Sequence, residues 1–79
     1  MLHIDLYTKD PCPLCDDVKA LLKALAATYP HQLREIDITQ NRELNGRYRF
    51  HIPVLAIGEH TLKAPITISN LIKFLREGS

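Results

Sequence analysis

Near residue 12 the apolar side chains change their spacing, and that change constrains the fold more than any other feature of the chain. In "LHIDLY", Leu2, Ile4 and Leu6 alternate with His3, Asp5 and Tyr7, the two-residue repeat of a strand. "KDP" interrupts it. From Leu14 onward Val18, Leu21, Leu22 and Leu25 recur at helical spacing, with Asp16, Lys19 and Lys23 on the other side. Pro13 falls where a first-turn proline is tolerated, and Pro30 closes the segment. "QLREIDI", Gln32 to Ile38, reads as a second strand whose alternation slips at Arg34 and Ile36. A strand, a helix and a strand joined this way imply a right-handed parallel pair.

Downstream the signals shorten. "TQNRELNGRY" predicts a short helix from Thr39 to Tyr48, capped by Thr39, with Leu44 and Tyr48 on one face and Gly46 weakening it. "PVLAIGEHTLK" predicts a hairpin: Val54 to Ile57, a II′ turn at Gly58-Glu59, then His60 to Leu62. "TISNLIKFLREG" predicts a last helix with Thr67 as N-cap. Ile68, Leu71, Ile72 and Leu75 form its apolar face, and Gly78 lies just beyond its end. The order is βαβαββα. A four-stranded mixed sheet with helices on both faces, forming an α/β domain over 1–79, buries this much apolar surface economically.

Composition narrows the function classes. The chain has 79 residues, 46% hydrophobic and 24% charged, which suits one ordinary globular domain. The net charge of +1 and the scattered Lys and Arg give no reason to expect nucleic acid as a partner. No apolar run approaches the ~20 residues of a membrane span. The first residues lack the basic head and apolar stretch of a signal peptide, so a cytoplasmic location is expected.

The only two cysteines, Cys12 and Cys15, lie at the junction of the first strand and first helix. A helix start offers unpaired N–H groups and the positive end of the helix dipole, both of which favour a thiolate. Cys12 is therefore the candidate nucleophile. Cys15, one turn on, is placed to attack a mixed disulfide and resolve it. Lys9 adds positive charge nearby, while Asp10, Asp16 and Asp17 oppose it, so activation is expected to be moderate. A structural zinc site needs four ligands, and His3, His31, His51 and His60 are isolated, so no metal is expected. A structural disulfide would close a very small loop with little entropic gain. Two inert core thiols are the remaining plain reading, because free cysteine is often buried.

The segment "LYTKDPCPLCDDVKALL" resembles the active-site segment of glutaredoxins, and "HIPVLAI" resembles their third-strand opening. The chain is especially similar to small bacterial glutaredoxin-like proteins with a CPxC centre. The resemblance implies a thioredoxin-like fold and a thiol–disulfide oxidoreductase, with a cis peptide at Ile52-Pro53. It further implies substrate contacts at Lys9, Leu14, His51, Ile52, Pro53 and Thr67. Lys9 matches the lysine that reaches a glutathione carboxylate, and Tyr7 a strand-end tyrosine whose expected role is packing. Leu14 replaces the usual Tyr, and His51 a Thr. The glycine pair and acidic dipeptide that hold glutathione's γ-glutamyl end are replaced by "TLKAPITISN".

The substrates implied are protein disulfides or glutathione mixed disulfides, with glutathione as co-substrate, no resident cofactor, and a monomer. Two other classes stay open. One is an iron–sulfur carrier shared between protomers, against which Pro13 argues mildly. The other is an idle binding module using Arg42, Arg47 and Arg49, which more simply form a solvated helix face.

Overall fold

The computed structural model describes the whole chain, Met1–Ser79. The elements are β1 (Leu2–Thr8), α1 (Pro13–Leu25), β2 (His31–Asp37), a 3-10 turn (Ile38–Gln40), α2 (Arg42–Tyr48), β3 (Val54–Ile57), β4 (His60–Lys63) and α3 (Ile68–Gly78). The sheet order is β2-β1-β3-β4. β1 runs parallel to β2 with Leu6 opposite Glu35 and Thr8 opposite Asp37. β3 runs antiparallel to both β1 and β4. The expected βαβαββα order, mixed sheet and crossover are all present.

The period-two pattern of β1 decides which way its residues face. Ile4 and Leu6 meet Val18 and Leu22 of α1, Leu55 of β3, and Leu71, Phe74 and Leu75 of α3 in the main core. α1 and α3 thus cover one face of the sheet. On the other face, Ile38, Tyr48 and Val54 form a smaller core with Tyr7, Leu44 and Ile52 packed against it. Tyr7 stacks on Tyr48 with ring centroids 4.5 Å apart, which ties the end of β1 to α2. Burial, with the neighbouring Tyr48 and Asp5 adding to it, pushes the Tyr7 hydroxyl pKa up.

Several boundaries differ from the sequence reading. β2 spans His31–Asp37, because the Asp37 carboxylate accepts the N–H and hydroxyl of Thr39 and turns the chain. That turn buries Ile38, ending the strand one residue early. Thr39 is consequently not the cap of α2. Asn41 fills that role, its Oδ1 accepting the N–H of Leu44 at 3.0 Å. In α3 the buried face is Leu71, Phe74 and Leu75, while Ile68 is exposed. Gly78 is the last residue of the helix rather than the one after it, held against Ile57, whose Cδ1 would meet an added Cβ at 2.7 Å. The hairpin turn agrees with type II′: Gly58 has φ +59°, and no other residue has a positive φ.

Candidate functional site

The end of β1 and the start of α1 build the site. Thr8 is the last buried residue of the strand, and the chain then turns outward through the exposed Lys9, Asp10 and Pro11. Cys12 has extended backbone angles and serves as the N-cap of α1, with Pro13 in the first turn where no N–H is needed. Its Sγ accepts the N–H of Cys15 at 3.2 Å, and its carbonyl accepts the N–H of Asp16 at 3.0 Å. Sulfur is a weak acceptor, so a capping cysteine gains most from this bond when it carries a negative charge.

The two thiols are joined as a disulfide, with their Cα atoms 5.2 Å apart. Their environments are unequal. Cys15 is 1% exposed and faces the core, whereas Cys12 is only half-buried. Of the two, Cys12 is the one open to solvent.

Two clefts flank the pair. On one side Lys9, Asp10, Asp16, Lys19, Glu35 and Asp37 surround Cys12 in a polar cleft of about 230 Å³. Lys19 sits between Asp16, at 3.3 Å, and Glu35, at 3.1 Å. The hydrogen bond to Glu35, then that to Asp16, raises the Lys19 pKa. The hydroxyl and N–H of Thr39 lower that of Asp37. On the other side Leu14, Leu21, Pro53, Pro65 and Ile66 line an apolar cleft of about 130 Å³. Leu14 is 62% exposed there, so its side chain forms part of the open surface beside the pair. The roomiest hollow, about 610 Å³, lies at Leu2, Tyr29 and Gly78, by the opposite end of β1 from the cysteines.

The remaining residues named from sequence fall as follows. The Ile52-Pro53 peptide is cis, as are Asp10-Pro11 and Ala64-Pro65. Pro53 is buried, and it shares the apolar cleft with Leu14. The Ile52 N–H donates to the Tyr48 carbonyl at 3.1 Å. His51 is exposed, and its carbonyl accepts the N–H of Ala64. Thr67 caps α3 through a reciprocal box: its N–H donates to Asn70 Oδ1 at 2.8 Å, and its Oγ1 accepts the Asn70 N–H. Arg42, Arg47 and Arg49 are exposed, with Arg47 paired to Glu43. Sequence reasoning did not find Glu35 and Asp37 at the site, nor Pro65 and Ile66. The parallel register places the first two; the second pair follows β4 and reaches α1 only through the fold.

Known structures share this fold. Protein XcR50 from X. campestris matches with a TM-score of 0.80 and 27% identity, over 94% of this chain and 96% of its own. Thioredoxin 1 from Thermosipho africanus matches with a TM-score of 0.70 and 17% identity, over 96% of this chain and 92% of its own. The germline-specific thioredoxin Deadhead from Drosophila melanogaster matches at 0.62 and 20%, over 96% of this chain and 79% of its own. At 17% and 20% identity the last two speak for the fold, which is thioredoxin-like. The family model described as glutaredoxin-like domain (DUF836) matches residues 3–76, with the cysteine pair inside that span. The chain belongs to the glutaredoxin-like domain family.

Proposed function

We propose that this protein is a thiol–disulfide oxidoreductase that reduces disulfides on protein partners through Cys12 and Cys15. The observation that carries the reading is the asymmetry of the pair: Cys12 caps α1 within reach of solvent, and Cys15 is bonded to it from the core. In the reduced protein the Cys12 thiolate attacks one sulfur of a substrate disulfide, forming a mixed disulfide and expelling the other sulfur as a thiolate. Cys15, deprotonated, then attacks Cys12 Sγ. The Cys12–Cys15 bond closes, the substrate leaves as its second thiolate, and two electrons have passed to it. A thiol or dithiol reductant reopens the bond before the next turnover. The cytoplasm, which keeps thiols reduced, is the setting that suits this chemistry.

Leu14 and Pro53 form an apolar wall for the substrate, and Ile52, its N–H already used, has its carbonyl to pair with an extended segment. Lys9 and His51 complete the rim. At Thr67 the N–H that a glutathione carboxylate would take is held by Asn70. This favours protein disulfides over glutathione mixed disulfides. Insulin reduction and a glutathione mixed-disulfide assay, run side by side, separate the two substrates. Activity on insulin that disappears in Cys12→Ser is the expected result; inactivity in both assays refutes the reading.

A further inference from the structure

We infer that the polar cleft beside Cys12 selects by charge, so that the preferred substrates are disulfides whose cysteine is flanked by a basic residue. This rests on the oxidoreductase reading and adds a substrate class to it. The carboxylates concerned are not a separate site: they wall the approach to the sulfur that bonds the substrate. Four of them, Asp10, Asp16, Glu35 and Asp37, face two cations, Lys9 and Lys19. Lys19 is engaged by Asp16 and Glu35 together, which leaves Lys9 against Asp10 and Asp37.

The fold keeps this excess in place. Glu35 and Asp37 stand opposite Leu6 and Thr8 in the parallel register, Asp16 lies in the first turn of α1, and Asp37 is fixed by Thr39. No cation offsets them from the other side, because the only charged residue on the apolar cleft is Asp17. The field is also local. The whole chain carries a net charge of +1, so it does not attract basic peptides from a distance. A Lys or Arg near the substrate sulfur therefore gains only when the disulfide enters the cleft. Glutathione, with two carboxylates and one ammonium group, meets the opposite field.

The test uses the full chain in its reduced form and three peptides that differ at one residue. Each carries a single cysteine blocked as its 2-mercaptoethanol disulfide, with Lys, Gln or Glu at the one residue next to it. Single-turnover rates are read at about 10 mM and about 1 M ionic strength, where charges are screened beyond about 30 Å and about 3 Å respectively. With a net excess of two negative charges about 7 Å away in water, each step from Lys to Gln to Glu slows the reaction about fivefold at low salt. The series collapses at high salt. In Asp10→Asn and, separately, in Glu35→Gln, which leaves Lys19 paired with Asp16 alone and lowers the negative excess by one charge, the low-salt preference for Lys shrinks by at least half. Equal rates on all three peptides, with Cys12 still required, overturn charge selection and leave the oxidoreductase reading intact. No reaction with any of them overturns both.

Discussion

The two cysteines are expected to respond in opposite ways to the same substitution. Under reducing conditions Cys12→Ser replaces a weak sulfur acceptor by a hydroxyl at an N-cap whose partner N–H is already aimed at it, 3.2 Å away. Serine is among the best N-cap residues, so the exchange stabilises by about 0.5–1 kcal/mol. Cys15→Ser places a hydroxyl at a position only 1% exposed beside the main core. Burying it there costs about 1–3 kcal/mol. The variants should therefore differ by roughly 2–4 kcal/mol, a large share of the roughly 4–12 kcal/mol expected for a domain of this length. With a urea slope near 1 kcal/mol/M, their unfolding midpoints lie about 2–4 M apart in dithiothreitol. Cys15→Ala, which adds no polar group, recovers part of the loss. Equal midpoints, or a Cys12→Ser variant less stable than Cys15→Ser, would refute the assignment of Cys12 as the cap and Cys15 as the core thiol.

Other expectations follow from the same geometry. Thr67→Ala removes the hydroxyl that accepts the Asn70 N–H and should cost about 1 kcal/mol in urea unfolding without changing the rate of Cys12 alkylation. The raised Tyr7 pKa means that the folded state holds this proton more tightly than the unfolded chain, whose value is near 10.0. The associated stability is complete below that value and is lost as pH rises through the higher folded value. Tyr7→Phe should accordingly flatten the alkaline limb of a stability-against-pH curve, and an unchanged limb would show that desolvation of this hydroxyl is not what sets it.

Much of the scaffold was legible because strong periodicity coincides with clear breaks. β1 alternates cleanly, α1 begins at a proline and carries four apolar residues at helical spacing, and the hairpin turns at a glycine. The errors came where local side-chain bonding competes with periodicity. Thr39 and Asn41 are both good caps, and the Asp37 turn that decides between them depends on a side chain two residues upstream. In α3, two overlapping apolar arcs share Leu71 and Leu75. Packing against the sheet selects the one with Phe74 and leaves Ile68 exposed. The cysteine pair was readable as a local motif. Asp10 and Asp16 were readable with it as neighbours in the chain, but Glu35 and Asp37 were not, since they come from β2 at no spacing that links them to the motif. Only the strand register brings them to one cleft.

The central claim is that the start of α1 makes Cys12 the attacking thiolate. Its most direct test is the pH dependence of iodoacetamide alkylation of Cys12, measured in the reduced Cys15→Ala variant so that one thiol reports. The capping N–H and the helix dipole predict an apparent pKa below the ordinary value of about 8.5. A midpoint at or above that value would contradict the account.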